Sequence, residues 1–448
     1  MIHHGVRRKT NNSIKFLLLF LLIFGLLFVG LNILLVPNEI LLIHNGFSQE
    51  SFFKPGFLKI NMKENGIIRI LEHESDLKSV FNSGNTSVQP TSAGETEIRF
   101  DLFGILPIKT TNVRVLDNRE VLVSGKSIGV HLNIGGVLVL AVSTVNDTEG
   151  KSVSLFTDDS IVKGDIIRKV NDIDVKSVEA LKTIVQDSKG NEISILAQRG
   201  DRLVTCSVRP VISKDDGEYK LGLWVRDASA GIGTLTFYDG ETGWYGALGH
   251  GISDTDTGVM MPVGTGRIFN SNIMGIRKGA PGAPGEFKGM FNMQKEIGNI
   301  KINNEFGIYG TIDKNKTDLS EYTPYKVGSK NKIKLGKAYI LCQGEDNTIG
   351  KYEIEIVKVS KNITSGSKGI VLTITDPKLL EQTGGIIQGM SGSPIIQNDM
   401  LVGAVTHVFV NDPKKGYGIF IECMLNEIEK YNNKSSATVQ FAELSKAG

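Results

Sequence analysis

The sequence predicts a mainly β protein that begins with one long apolar helix and carries one α+β module in its middle third. Three observations predict it. Glycine makes up 51 of 448 residues while proline makes up only 12, a balance that suits turn-rich β structure rather than a proline-rich linker. Short runs of β-branched and aliphatic residues recur between glycine turns from about 113 to 420. Periodicity suited to an amphipathic helix is clear only around 177–188 and near the C-terminus. With 22% charged residues and a net charge of +2, composition excludes an acidic disordered tail and offers no electrostatic case for nucleic acid.

The N-terminal element comes first. Arg7, Arg8, Lys9 and Lys15 precede an apolar run from Phe16 to Val36. Its 21 residues would rise about 31 Å as a helix, close to a bilayer core of about 30 Å. The basic flank and the lack of an A-x-A-like site favour a signal-anchor, with residues 1–13 cytoplasmic, 14–36 spanning the membrane and the rest exported. A cleaved signal peptide is the alternative, and it exports the same residues. Residues 37–112 read as a membrane-proximal segment and linker, and NSGNTSVQPTSAGETE at 82–97 holds little to bury. That stretch is expected to be flexible and open to proteolysis.

The middle unit, 113–213, alternates short strands around one helix. Ser177 can cap a helix to about Ser188, with Val178, Leu181, Ile184 and Val185 on one face. The run KGDIIRKVNDIDVKSVEAL at 163–181 resembles a PDZ domain. The resemblance implies that Ser127, Ile128, Gly129 and Val130 form a loop that captures a peptide carboxylate. That job needs converging N–H groups beside an open strand edge. An ordinary buried turn is the alternative.

Residues 214–432 form the third unit, with 433–448 as a polar tail. Its many short strands predict a β-barrel, its RKGAPGAPGEFKG segment at 277–289 a surface loop, and Ile421–Tyr431 a closing helix. The chemistry concentrates at Gly389-Met390-Ser391-Gly392-Ser393-Pro394. A serine nucleophile needs a base, and it needs N–H donors aimed at the oxyanion. The glycines permit tight backbone around Ser391, and the N–H groups of Gly389 and Ser391 have the spacing of an oxyanion hole. Ser393 is the competing nucleophile.

The base at neutral pH must be a histidine. His3 and His4 precede the anchor, His44 and His73 lie near the membrane, and His131 lies in the middle unit. His250, among small residues in GALGHGI, is the candidate; His407, following a strand, reads as a rim residue. A carboxylate should orient the base, and Asp254, Asp256, Asp313, Asp318 and Asp376 are open choices. Asp376 ends the strand of LTITDP, while Asp254 and Asp256 read as solvated.

The run from Gly385 to Val405 resembles the nucleophile segment of chymotrypsin-like serine peptidases. GALGHGI, LTITDP and GMSGSP, in that order after an anchor and a PDZ-like unit, resemble the stage IV sporulation protein B peptidases of endospore-forming bacteria. That resemblance implies a triad of Ser391 as nucleophile, His250 as general base and acid, and Asp376 as orienter, on a chymotrypsin-like barrel. It implies an enzyme on the forespore membrane, facing the space toward the mother cell. There it would cleave itself and a membrane-anchored regulator, so triggering intramembrane proteolysis and activation of a mother-cell sigma factor. An inhibitor protein is a further implied partner.

No metal or other cofactor is expected: the sequence has no H-E-x-x-H or C-x-x-C spacing and three scattered cysteines. Two other readings stay open. One is a PDZ adaptor with an inactive peptidase-like domain. The other is an esterase, which lacks its G-x-S-x-G elbow.

Overall fold

In the computed structural model, residues 5–44, 49–62, 66–72, 84–157, 160–360 and 363–444 are described. The expectations for His3, His4, His73 and residues 445–448 lie outside them. The chain forms two compact units, 1–119 and 120–448.

The first unit opens with the helix Gly5–Ile33. Its apolar side chains are open: Phe16 is 73% and Leu18 61% exposed. Among the described residues, however, no helix is long and apolar enough to cross a membrane. The chain then enters a four-stranded sheet ordered Glu39–His44, Leu106–Asp117, Gly94–Leu102, Leu58–Asn61. Ile40, Leu42, Ile98, Phe100, Val113 and Val115 close its core. Two expectations change here. The stretch 84–97 is not a loose linker: Gly84–Pro90 and Gly94–Leu102 are strands, and Thr86, Ser87 and Val88 are buried. Hydrogen-bonded backbone on both strand edges gives these polar residues a place that composition alone does not reveal. Val113, Val115 and Leu116 do not begin the PDZ-like unit; they pair with Thr96, Gly94 and Ile43.

The second unit is woven, which moves the boundaries expected at 113 and 213. The strand Ser127–Val142 is shared. Its first half pairs with Ala228–Thr234 on one edge and Thr265–Asn270 on the other. Its second half pairs with Ile166 and Ile167 and with Leu223–Arg226. The PDZ-like module is therefore an insertion between two strands of a barrel-like sheet. The helix Val178–Asp187 is capped by Ser177, whose hydroxyl accepts from the Ala180 N–H at 3.1 Å. It packs Leu181 and Val185 onto Val137, Val139, Ile167 and Ile195. Burying each such side chain contributes about 1.5–3 kcal/mol.

The sheet that receives the insertion continues through Trp244–Ala247 and Gly307–Thr311. Beyond it, six strands close a ring. Gly336–Gln343 pairs with Ile349–Val359, then come Ile370–Ile374, Asp412–Phe420, Met400–Phe409 and Pro394–Gln397, which returns to the first. Full closure removes free edges. The final helix runs Ile421–Leu444, longer than expected, taking in most of the residues read as a polar tail.

Candidate active site

The base and the nucleophile come from strands that do not pair with each other. His250 follows the strand Trp244–Ala247, and Ser391 sits in the loop before the ring strand Pro394–Gln397. Both line one cleft of about 570 Å³, together with His407, Thr406, Gly389 and Gln388. Its other walls are largely apolar, including Val130, Ile232, Ile252, Ile386 and Val408.

The nucleophile loop is fixed from behind. Gly389 and Gly392 have φ of +99° and +97°, a region side chains disfavour. A Cβ on Gly392 would lie 2.1 Å from the Thr234 carbonyl, so only glycine fits there. Thr234 donates its N–H to the Ser391 carbonyl at 2.9 Å and its hydroxyl to the Gly389 carbonyl at 2.7 Å. Thr236 donates its hydroxyl to the Gly392 carbonyl at 2.8 Å. With the carbonyls held, the N–H groups of Gly389 and Ser391 take no acceptor among the described residues. Two bare donors flanking a serine are what an oxyanion hole requires. Ser391 Oγ donates to the Thr406 carbonyl at 2.7 Å. Ser393 is excluded as nucleophile, because its side chain is fully buried.

The Gly/Pro segment is not simply a surface excursion. Its tip is exposed, but its shoulders brace the nucleophile loop. Gly279 donates to the Thr383 carbonyl, Gln388 donates to the Gly285 carbonyl, and Phe287 donates to the Gln388 carbonyl, at 2.8–2.9 Å. The Phe287 ring lies so close to Gly389 that an added Cβ would meet it at 2.7 Å.

His250 Nδ1 lies 2.9 Å from the Gly251 carbonyl. A carbonyl only accepts, so Nδ1 carries the proton and Nε2 is left as the basic nitrogen. Burial lowers the pKa of His250, partly offset by this hydrogen bond. The ring of His407 packs against it at 4.8 Å between centroids.

The structure does not bring Asp376 to His250. Asp376 is the N-cap of the helix Pro377–Thr383: its carboxylate accepts from the Leu379 N–H at 3.0 Å and the Glu353 N–H at 3.3 Å. The strand Ile370–Ile374 places it on the ring that also carries Ser391, beside Cys342, whose thiol burial and this carboxylate push up to about 12. The other carboxylates are also committed. Asp254 and Asp256 pair with Arg226, and Asp254 is buried rather than solvated. Asp313 accepts from the Asn315 N–H and Asp318 from the Ser320 N–H. Among the described residues, the group bonded to His250 Nδ1 is a backbone carbonyl.

Ser127–Val130 is likewise misplaced as a carboxylate loop. These residues form a central strand, paired on both edges and with Ser127, Ile128 and Val130 buried. No open edge is left for a peptide. A groove of about 570 Å³ lies instead between the helix Val178–Asp187 and the segment Leu221–Val225, with Trp224 67% exposed.

Sequence reasoning passed over Thr234 and Thr406, and read His407 only as a rim residue. The two threonines read as ordinary strand alternation, and only pairing across 150 or more residues gives Thr234 its role. Three or more metal-ligating side chains do not cluster among the described residues.

No curated protein matches this chain. Among solved structures, the PDZ domain of an SdrC-like protein from Listeria monocytogenes is similar at 20% identity, over 20% of this chain and 87% of that one, with a TM-score of 0.17. Residues 217–425, which carry Ser391, His250 and all of the cleft lining but Val130, match the SpoIVB peptidase S55 family, so that this region is a serine peptidase domain.

Proposed function

We propose that this chain is a membrane-tethered serine endopeptidase of sporulation signalling. It cleaves itself and a membrane-anchored regulator, which triggers intramembrane proteolysis and activates a mother-cell sigma factor. The observation that carries the catalytic part is the meeting of Ser391, His250 and two unbonded N–H groups in one cleft. In the reaction, Ser391 Oγ leaves the Thr406 carbonyl, gives its proton to His250 Nε2 and attacks the scissile carbonyl. The N–H groups of Gly389 and Ser391 then hold the oxyanion. Asp376 supports the ring beside the nucleophile and takes no proton.

The tether rests on the exposed apolar side chains from Phe16 to Leu35 and the basic cluster before them. The forespore membrane, with the enzyme facing the space toward the mother cell, is the location the family implies, and an inhibitor protein is the implied restraint. Any peptide held by the PDZ-like module belongs in the Val178–Leu223 groove, not at Ser127–Val130. Self-cleavage falls outside the paired strands Gly84–Pro90 and Gly94–Leu102, since a peptidase needs extended, unpaired backbone.

The test is to express the full chain and its Ser391→Ala variant in membranes and follow fragments by intact-mass spectrometry. Fragments from the first and none from the second support the reading and report the cut sites. Equal fragmentation of both would defeat it. If Ser391→Ala instead kept its biological role, the adaptor reading would replace it.

A further inference from the structure

We propose that His407 is a positioning residue for the base, and that the bulge Thr406–His407 aligns nucleophile and base together. This rests on the peptidase reading above. The pairing of Met400–Phe409 with Asp412–Phe420 slips between Val405 and Val408, and the slip turns both residues out of register. Thr406 is held from behind, its hydroxyl donating to the Ser367 carbonyl at 2.8 Å. Its own carbonyl accepts from Ser391 Oγ at 2.7 Å. The next residue presents its ring to His250 at 4.8 Å, with the planes inclined by 37°. Two adjacent residues of one strand thus touch both reacting side chains, which are themselves carried by strands that do not pair with each other.

The charge state of His407 matters to what it can do there. The titratable groups that face it are His250 and Lys368, the latter from the turn Ile363–Lys368. Neither the strand segment Ser229–Ile232 nor the loop Ile386–Gly389 brings a charged side chain to the cleft. His407 is exposed at the cleft rim, yet desolvation by the protein around its ring, helped by His250 and Lys368, pushes its imidazole down to about 4. His407 is therefore neutral at the working pH. When His250 becomes an imidazolium, a neutral aromatic neighbour accommodates it, whereas a second cation would oppose it.

The test is a histidine NMR titration, read without turnover, on the full-length Ser391→Ala chain in micelles with ¹³C-labelled histidine. His250 is expected to titrate below 6.5, its ordinary value. Adding His407→Ala should raise that midpoint by about half a unit as water enters, while His407→Phe should leave it low. In the active chain, His407→Ala should cut kcat about tenfold with KM within about twofold, His407→Phe should stay within about threefold, and His407→Lys should lose activity and lower the midpoint further. An unmoved midpoint in His407→Ala overturns the proposal. So does a folded His407→Phe that behaves like His407→Ala, since the ring would then not be what matters. A chain that shows the midpoint shift but never cleaves a peptide would sink the peptidase reading alone.

Discussion

Ser391 and Asp376 lie 15 residues apart on the same ring of strands, yet their surroundings are opposite. Around Ser391 the carbonyls are tied down and the N–H groups of two residues that line the cleft are left bare. Around Asp376 each carboxylate oxygen accepts from a backbone N–H, and among the described residues no histidine bonds to it. Unsatisfied donors at a fixed spacing are costly and persist where chemistry uses them; satisfied ones build structure. The difference teaches that a motif in the expected order does not assign a role until its hydrogen bonds are counted.

The comparison is sharpened by four changes. Ser391→Ala should cost about 10⁴–10⁶ in turnover with the melting temperature nearly unchanged, measured by kinetics and calorimetry. A comparable loss of stability would mean that the serine is structural. Deleting 113–213, the span read as the PDZ domain from the sequence, should abolish folding, because Ser127–Ile134 is a barrel strand. Joining Asn133 to Ala228, which are paired neighbours, by a short turn should instead leave a folded peptidase domain; circular dichroism separates the two. Gly392→Ala should destabilise the fold by about 1–3 kcal/mol or more and reduce activity with it, through the positive φ and the Thr234 carbonyl.

The smallest effects are expected at Asp376. Asp376→Ala removes an N-cap, with a stability loss of about 0.5–2 kcal/mol in chemical denaturation. Asp376→Asn still caps and should keep activity within about threefold. A folded Asp376→Asn with a loss of about 10⁴ would restore the carboxylate to the triad. The pH profile tests the same point from the base. His250 is active when neutral, and its pKa lies below 6.5. Activity should therefore persist below pH 6.5 and fall only as pH drops through the lowered value. A limb displaced above 6.5 would indicate a carboxylate partner that the structure lacks.

Much of this was legible in the residues. The 3.6 spacing of Leu181 and Val185 and the cap at Ser177 define the one clear helix of the middle unit. The glycines around Ser391 announce a special turn, and small neighbours single out His250. What stayed hidden depends on long-range pairing. Ser127–Val130 looks like a turn beside a strand, and only its two partners, Gly231–Thr234 and Ile268–Asn270, make it central. Local pattern also cannot show that one strand serves two modules, which is why 113 and 213 read as boundaries. Asp376-Pro377 is equally good as a catalytic strand end and as a helix cap, and the sequence holds nothing to separate them.

The central claim is that Ser391 is a nucleophile activated by His250 in the same cleft. Its most direct test is labelling of the full chain with a serine-reactive phosphonate, located by peptide mass spectrometry. The account predicts one adduct, on Ser391, lost in Ser391→Ala, strongly slowed in His250→Gln and nearly unaffected in Asp376→Asn. An adduct on another residue, or labelling of Ser391 that is indifferent to His250, would contradict it.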